Sequence, residues 1–395
     1  MSGSSRREAL GMLAWAGAAS LVDPGPVLAQ LASAVPCVDR ASAGTLLGTL
    51  PLFRGRPTPQ TFGVKYGGAG LDARLVTDLS LLAPDRLITP TELAYVRTEI
   101  PRAAAEHTGP WVIRTLATSR APTDLALDAL AKRARPMGTH LFECAGNANP
   151  ANFGLMSVAA WDGVPLSEVV ADLETSGATA VLVGGVDHDG QQAADSMPGA
   201  SWVFPLASLD GLGAFLATRM NGVPLPPDHG APVRLVVPGW YACSWIKWVN
   251  EIRLVGPDEP ATSQMVEFAG RTHQGSPRAL AHDFSPPDIQ TAATPVRVEK
   301  RKGADGLTYR IVGIVWGGTR PVDRLLIRFG AFGDWTPFAV CPAPTTHTTW
   351  SLWEYAWKPP GPGIWDITLK AADPSIPQRR LDRGYYMRQV QIDEI

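Results

Sequence analysis

The chain has few cysteines, no excess of either charge and no long apolar run beyond its first residues. Four cysteines in 395 residues are too few for a disulfide scaffold. Lys plus Arg total 35 and Asp plus Glu total 37, so the basic excess that a nucleic-acid-binding protein uses to displace counterions is missing. No later stretch offers the ~20 apolar residues of a spanning helix, so no membrane span is expected in the mature protein.

The composition that remains is that of a folded chain. Apolar residues make up 45% of the sequence and charged residues 18%, which allows a large core. The length fits roughly two to three domains at about 150 residues each. Thirteen tryptophans are a high count, and their rings commonly line pockets and sheet interfaces.

The amino terminus has the pattern of an export signal. Ser5 precedes the pair Arg6 and Arg7, an apolar stretch over 9–22 follows, and small residues come after it. This order predicts a twin-arginine signal peptide over residues 1–34 and a periplasmic protein. The alternative is an amphipathic helix with two surface arginines. Cys37 lacks the small-residue context of a lipid-attachment site, so no lipid anchor is expected.

Two regions with different patterns follow. Residues 35–285 mix unequal strands with helices, including helices predicted over 125–133 and 205–219, which indicates an α+β domain with mixed sheets. A stretch rich in Pro and Thr then marks a boundary near residue 285. Residues 286–395 carry short alternating strands separated by Gly and Pro turns, which predicts an all-β immunoglobulin-like sandwich.

Cys144 is the first residue with chemical potential. An apolar strand from His140 ends at Cys144, and the residues Ala145 to Asn147 turn the chain. A thiolate at such a turn can be a nucleophile or a soft metal ligand, whereas the alternative is a buried, inert cysteine. A zinc pair with His140 is a further reading, but the sequence nearby offers no other ligands for it.

A second cluster is cationic. His229 and Arg234 lie in a Gly- and Pro-rich segment, and Lys247 follows within nineteen positions of His229. Arg holds phosphate through two parallel hydrogen bonds, so the cluster predicts a site for an anion. Arg97 follows a possible helix start, and its charge needs a partner if it is buried.

These motifs together resemble those of sulfite oxidase-type molybdoenzymes. Cys144-Ala-Gly-Asn, the run from Trp161 to Leu166, the run from His229 to Arg234 and the run from Ile246 to Trp248 occur in the order seen in that family. The resemblance covers about residues 88–395. It implies a molybdopterin-binding catalytic domain over 35–285 and an immunoglobulin-like dimerisation domain over 286–395, and therefore a homodimer.

The resemblance also implies roles for individual residues. Cys144 matches the cysteine whose sulfur binds molybdenum, and Arg97 and Trp161 match residues of the substrate pocket. Asn149 stands at a catalytic position where family members that oxidise sulfite usually have arginine, as does Ala148. The positions that match cofactor-binding positions are Tyr95, Val96, Arg97, Thr98, Glu99, Cys144, Asp187, His229, Arg234, Trp245, Ile246 and Lys247.

The implied function is a molybdenum cofactor-dependent oxidation of sulfite or a related small sulfur compound by oxo transfer. The sequence has no Cys-x-x-Cys-His motif for haem attachment, so electrons are expected to pass to a separate c-type cytochrome. Since Ala148 and Asn149 replace arginines, the substrate side looks altered while the cofactor side looks intact. The alternatives are the same cofactor acting on a sulfane or on an S- or N-oxide, and a non-catalytic periplasmic binding or assembly protein.

Overall fold

Strands dominate the fold, and the helices are short. In a computed structural model of the chain, the described residues are 44–53, 65–67, 72–98, 100–118, 121–147, 153–187, 199–275, 278–379 and 386–395. The signal peptide predicted over 1–34 lies outside these residues. The fold is therefore mostly β, with fewer and shorter helices than the α+β prediction implies.

Strands and short helices follow one another irregularly along the chain. The strands before residue 285 are β1 (Thr45–Leu50), β2 (Lys65–Gly67), β3 (Asp72–Leu75), β4 (Val96–Thr98), β5 (Val112–Leu116), β6 (Thr123–Ala126), β7 (Arg135–Glu143), β8 (Met156–Pro165), β9 (Ala180–Gly185), β10 (Ser201–Pro205), β11 (Phe215–Met220), β12 (Val223–Pro224), β13 (Arg234–Val236) and β14 (Val249–Val255). The later strands are β15 (Ala292–Gly303), β16 (Gly306–Trp316), β17 (Arg324–Phe329), β18 (Thr336–Ala339), β19 (Ser351–Trp357), β20 (Gly363–Ala371) and β21 (Arg388–Ile392). The α-helices are α1 (Arg102–Ala105), α2 (Leu127–Arg133), α3 (Leu166–Ala171), α4 (Leu209–Leu212) and α5 (Ser263–Phe268). Single 3₁₀ turns occur at Leu79–Leu81, Thr91–Leu93, Leu206–Ser208, Pro227–His229, Ala242–Ser244, Ala269–Arg271 and Ala281–Asp283.

Apart from β1, the described strands that precede residue 285 form three sheets. One has five strands in the order β10-β9-β14-β5-β6, and it is mixed because β14 and β5 run parallel. A second has the order β12-β11-β8-β7, with β13 also paired to β11. The third joins β2, β3 and β4. The second sheet carries Cys144 at the end of β7 and Arg234 at the start of β13, so it brings the two predicted clusters together.

The carboxyl-terminal part consists of two four-stranded antiparallel sheets. Their orders are β1-β15-β16-β19 and β18-β17-β20-β21. Aromatic side chains join the two sheets: the ring of Phe329 on β17 stacks on Trp357 of β19 with centroids 4.4 Å apart. Strand β1 comes from the segment that the sequence assigns to the first domain, yet it pairs with β15 along most of its length. All these elements belong to one compact unit that runs from Cys37 to Ile395.

Helices α2 and α5 illustrate how local sequence sets element ends. Helix α2 has Asp128 in its first turn and Lys132 and Arg133 in its last, which complements the helix dipole. It confirms the helix predicted over 125–133 from Leu127 onward, whereas Leu125 and Ala126 end β6. Helix α5 begins after Thr262, whose Oγ1 accepts a hydrogen bond from the N–H of Met265 at 3.2 Å. In the described part of the chain, no helix is both long and apolar enough to cross a membrane.

The helix predicted over 205–219 is wrong for most of that range. A 3₁₀ turn and α4 occupy its first half, and the helix ends at Gly213, whose φ of +62° is a left-handed conformation that glycine adopts readily. Phe215 then begins β11, which is held between β8 and β13. The apolar run from Ala214 to Ala217 is buried, and β11 begins within it at Phe215. The prediction failed because the period of a short apolar run does not distinguish a strand from a helix.

Candidate active site

Cys144 follows β7 on a turn whose backbone is fixed on both sides. Its N–H donates to the carbonyl of Leu155 at 2.9 Å, and its carbonyl accepts from the N–H of Asn147 at 2.9 Å. The N–H of Gly146 donates to the Cys144 Sγ at 3.3 Å. The sulfur is therefore held at a closed turn with a backbone donor directed at it.

Two arginines act on this sulfur. Burial raises the pKa of the Cys144 thiol, whereas Arg97, the N–H of Gly146 and Arg271 each lower it. Metal binding requires the thiolate, so both cations favour the form that can coordinate a metal. A Cβ added at Gly146 would lie 3.6 Å from the Cys144 Sγ and 3.7 Å from Nη1 of Arg271, which places that guanidinium beside the turn.

Arg234 is a buried cation on a different wall. It opens β13, is 4% exposed, and donates to the carbonyls of His229 at 3.2 Å and Trp245 at 3.3 Å. Its Nε has no hydrogen-bond partner among the residues that the structure describes. Among the described residues Arg234 forms no ion pair, and burial lowers its pKa to about 10. The guanidinium therefore remains charged at neutral pH without a carboxylate to balance it.

Aromatic rings surround this guanidinium. Its carbon lies 5.9 Å from the ring centroid of Phe142, 5.4 Å from that of Trp161 and 5.7 Å from that of Trp245. The three rings also contact one another, with Phe142 packed edge-on against Trp161 at 5.6 Å. Cation–π contacts give the charge part of the stabilisation that water would supply.

His229 and Lys247 complete the cationic cluster. His229 is buried, and burial together with Arg234 and Lys247 lowers its pKa to about 3, so it is neutral near pH 7. Lys247 donates through Nζ to the carbonyl of Thr98 at 2.6 Å and to that of Asp228 at 2.9 Å. Gly230 takes a φ of +100°, and a Cβ there would lie 2.9 Å from Cβ of Lys247, so glycine permits this close approach.

One cavity of about 80 Å³ is lined by Cys144, Arg97, Arg234, His229 and Lys247. Its walls come from strand ends and from the single turns at Pro227–His229 and Ala242–Ser244, together with one face of α5. The predicted site residues that line it are Tyr95, Val96, Arg97, Thr98, Cys144, Asp187, His229, Arg234, Trp245, Ile246 and Lys247.

Trp161 is the one described residue among the predicted site residues that does not line the cavity. Trp161 is 2% exposed and packs behind the wall against Phe142, Trp245 and Arg234. Glu99 and Asn149 lie outside the described residues, as does Ala148.

The cavity also contains residues that the sequence motifs do not single out. These are Cys243, Gln264 and Phe268, and the guanidinium of Arg271 lies over the Phe268 ring at 5.4 Å. Asp228, which precedes His229 in the cationic segment, also lines the cavity. Gln264 and Phe268 are four residues apart on α5, so they share one face of the helix. The capping pattern at Thr262 is the signal that could have located this helix and its inner face.

His140 does not join Cys144 at the cavity. Its Nε2 lies 2.8 Å from the carbonyl oxygen of Met137, and its Nδ1 lies 3.4 Å from Oγ1 of Thr348. Within the described ranges, no cluster of three or more His, Cys, Asp or Glu side chains is arranged to hold a metal ion. The zinc pair considered from the sequence is therefore absent from the described site.

Comparison with known proteins finds several likenesses for this chain. Residues 99–263 match the model of the oxidoreductase molybdopterin binding domain. The chain is 28% identical over 322 residues to sulfite oxidase of Gallus gallus, which covers 74% of this chain and 68% of that protein. Mitochondrial sulfite oxidase of Homo sapiens is also 28% identical, over 74% of this chain and 57% of its own length. The chain thus spans little more than half the length of most sulfite oxidases that it matches.

Two further likenesses agree with that family. The NADPH nitrate reductase of Neurospora crassa is 30% identical over 46% of this chain and 21% of its own length. The crystal structure of the sulfane dehydrogenase SoxCD from Paracoccus pantotrophus superposes with a TM-score of 0.59 at 17% identity, covering 83% of this chain and 88% of that one, and so shares the fold. The family's cofactor is molybdenum held by molybdopterin. These matches indicate a molybdopterin-dependent oxidoreductase that is similar to the sulfite oxidases.

Proposed function

We propose that this enzyme oxidises sulfite or a related small anionic sulfur compound at the cavity described above. One observation carries the proposal: the same cavity is lined by a buried thiol, Cys144, and by a buried cation, Arg234, that has no carboxylate partner among the described residues. The first is a soft metal ligand, and the second requires an anion.

The donor set fits the molybdenum cofactor. Arg234 offers an unused Nε–H, and the phosphate of a pterin would balance its charge through charge-assisted hydrogen bonds. Lys247 adds a second cation to the same wall, and neutral His229 can accept or donate a hydrogen bond there without adding charge. Cys144 would hold the metal through its sulfur, and Tyr95 to Thr98, Asp187, Trp245 and Ile246 would contact the pterin.

The chain's own residues then bind and orient the substrate. When bound, the cofactor supplies a two-electron oxidation coupled to transfer of an oxygen atom. Arg97 and Arg271 both act on the Cys144 sulfur, so an anion that approaches this sulfur meets two positive charges. Sulfite and nitrate, which the names of the relatives specify, are both small anions.

Arg271 is the cation that compensates for the two arginines missing at Ala148 and Asn149. It is exposed, and its stacking on Phe268 holds the guanidinium at the cavity wall. A neutral S-oxide or N-oxide would gain less from this charge than an anion does. An anionic sulfur substrate is therefore favoured over those alternatives, and a sulfane carried on an anionic molecule is compatible with the same cavity.

Metal analysis of the purified protein tests the proposal directly. Protein expressed with adequate molybdate is expected to contain about one molybdenum and one pterin per chain. Cys144→Ala should lose sulfite turnover entirely, because the metal loses its protein ligand. Cys243→Ala, which removes the other buried thiol of the cavity, serves as the matched control and should keep its molybdenum.

Two outcomes would overturn this assignment. Wild-type protein without molybdenum under these conditions would remove the cofactor, and normal turnover in Cys144→Ala would remove the proposed ligand. A screen of sulfite, thiosulfate and neutral S-oxides then fixes the substrate. A preference for the neutral compounds would replace the anionic substrate by the S-oxide alternative.

Further proposals concern the cell and the partners. We propose export to the periplasm by the twin-arginine route, and Cys341 is disulfide-bonded, as befits an oxidising compartment. The double variant Arg6→Lys with Arg7→Lys should then remain in the cytoplasmic fraction. Electrons would pass to a c-type cytochrome, which stopped-flow reduction of an added cytochrome c would detect.

We also propose that residues 286–395 form an immunoglobulin-like sandwich that serves dimerisation, joined by β1. The stacked pair Phe329 and Trp357 between the two sheets supports the sandwich. A two-fold dimer is the commonest arrangement of soluble homo-oligomers. Analytical ultracentrifugation should give twice the mass of the chain, and a monomer at micromolar concentration would contradict this role.

A further inference from the structure

The residue before Cys144 is a fully buried carboxylate held by the distant end of the chain. Glu143, the last residue of β7, is 0% exposed. Its Oε1 accepts from Nη1 of Arg379 at 3.0 Å, and its Oε2 accepts from Nη2 of Arg379 at 3.0 Å. This is the two-bond geometry in which Arg and carboxylate bind most specifically.

Two further side chains donate hydrogen bonds to the Glu143 carboxylate. The indole Nε1 of Trp316 donates to Oε2 at 2.9 Å, and Nδ2 of Asn147 donates to Oε1 at 3.2 Å. Asn147 in turn accepts, through Oδ1, hydrogen bonds from the N–H groups of Gly154 and Leu155, each at 3.1 Å. Glu143 thus connects both ends of the Cys144 turn to Arg379 and Trp316.

Arg379 is fixed in its turn by the carboxyl-terminal part. Its backbone N–H donates to the carbonyl of Thr291 at 3.0 Å. Its guanidinium lies over the rings of Tyr241 at 5.2 Å, Trp316 at 5.9 Å and Tyr386 at 5.5 Å, and it donates to the Tyr386 hydroxyl. The side chain is 9% exposed, so the ion pair with Glu143 is shielded from water.

We propose that the ion pair of Glu143 with Arg379 positions the Cys144 sulfur, so that the carboxyl-terminal part of the chain sets the geometry of the metal site. This inference rests on the proposed role of Cys144 as the metal ligand. Glu143 and Arg379 touch neither substrate nor metal and act through the turn. They are therefore positioning residues.

The physical reason lies in how the turn is anchored. Backbone hydrogen bonds fix Cys144 along the sheet, while the side chain of the preceding residue fixes the rotation of the strand end about its own axis. A partner one shell away from a metal ligand commonly changes activity or metal affinity ten- to a hundredfold when it is removed. A lysine at position 379 keeps the charge but cannot make two parallel bonds.

Arg379→Lys in the cofactor-loaded protein is the first test. We expect an altered electron paramagnetic resonance spectrum after partial reduction with dithionite, with kcat for sulfite lowered about tenfold and KM changed less than twofold. Trp316→Phe removes one donor to Glu143 without changing charge. It should shift the spectrum in the same direction by a smaller amount.

A matched pair elsewhere separates positioning from stability. Glu299 is also buried and is bonded to Arg310 at 2.6 Å, but neither residue lines the cavity. The double variant Glu299→Gln with Arg310→Gln should lower the melting temperature and leave the resonance spectrum unchanged. Should Arg379→Lys lose folding, Trp316→Phe and the double variant Glu143→Gln with Arg379→Gln provide the same spectroscopic readout.

Unchanged spectra in Arg379→Lys and Trp316→Phe, in protein that contains molybdenum, would overturn the inference while leaving the proposed function intact. A wild-type protein without molybdenum would instead overturn the proposed function. The two failures are therefore distinguishable in the same set of samples.

Discussion

Arg234 and Arg379 are both buried cations near the Cys144 turn, yet their surroundings differ in one respect. Arg379 has a carboxylate partner in Glu143, and although burial lowers its pKa, Glu143, Tyr241 and Tyr386 together raise it well above the usual value. Arg234 has aromatic rings and carbonyls but, within the described ranges, no carboxylate, and its pKa falls to about 10.

The difference is the one expected between an arginine that holds the structure and an arginine that binds an anionic ligand. A paired buried charge contributes to folding only as part of its pair, whereas an unpaired one costs free energy until an anion arrives. Since both side chains are buried and both contact aromatic rings, neither burial nor ring contact alone reveals the function. The presence or absence of a carboxylate partner is the feature that distinguishes the two arginines.

The largest effect that would test this contrast is on stability. Arg379→Gln leaves Glu143 buried and unpaired, so the free energy of unfolding should fall by about 3–5 kcal/mol. Urea denaturation of cofactor-free protein measures it. The double variant with Glu143→Gln should recover most of the loss, because no uncompensated charge remains. A loss below ~1 kcal/mol in Arg379→Gln would mean that the pair is not a unit.

The second effect is on cofactor affinity. Arg234→Gln removes charge-assisted bonds to the expected phosphate, and a loss of about 3 kcal/mol lowers affinity roughly a hundredfold. Molybdenum and pterin contents of the purified variant should fall to background. Its cofactor-free stability should be unchanged or higher, since an uncompensated charge is gone. Full molybdenum content in this variant would place the anion elsewhere.

A smaller effect concerns pH. The folded-state pKa of His229, about 3, lies below that of an unfolded histidine, so the unfolded chain binds the proton first. In cofactor-free protein, the contribution of neutral His229 to the free energy of unfolding is fully present above pH ~6.5. It is lost as pH falls, by about 1.4 kcal/mol per pH unit. His229→Gln should flatten the slope measured by denaturation between pH 6.5 and 4.5. A bound phosphate would also flatten it, because Arg234 and Lys247 would then be balanced.

The smallest effect is on substrate affinity. Arg271→Gln should raise KM for sulfite about fivefold, equivalent to ~1 kcal/mol for an exposed charge, with kcat changed little. Dimethyl sulfoxide, a neutral probe, should show no such dependence. Arg278→Gln, another exposed arginine, is the control and should behave as wild type. An equal rise in KM for both variants would mean that Arg271 acts only through the overall charge of the protein.

The candidate site is more predictable from the sequence than the fold that surrounds it. Compact sequence motifs contain Cys144, His229, Arg234 and Lys247, and the residue types in these motifs indicate metal and anion binding. In the structure the four residues line one cavity. The helix predicted over 205–219 fails because Gly213 ends it and tertiary pairing makes β11 of the remainder. A local pattern cannot foresee which sheet will recruit a short apolar run.

The partnership of Glu143 with Arg379 was beyond any local pattern. The two residues are 236 positions apart, and nothing in the composition around Arg379 marks it as buried. Cys243 and the inner face of α5 were missed for a related reason, because their exposure to the cavity depends on how the single turn at Ala242–Ser244 and the helix are placed. Contacts between residues that are far apart in the sequence determine the Glu143–Arg379 pair and the exposure of Cys243 and α5 to the cavity.

Helix α5 bears on how the cavity can diversify. Arg234 donates its hydrogen bonds to the chain at His229 and Trp245, whereas α5 contributes Gln264 and Phe268 at another part of the wall. We expect changes within the six residues of α5 to alter that part of the wall while Arg234 stays in place. Relatives with new preferences could therefore arise by grafting this short segment, without evolving a new way to retain the heavy metal.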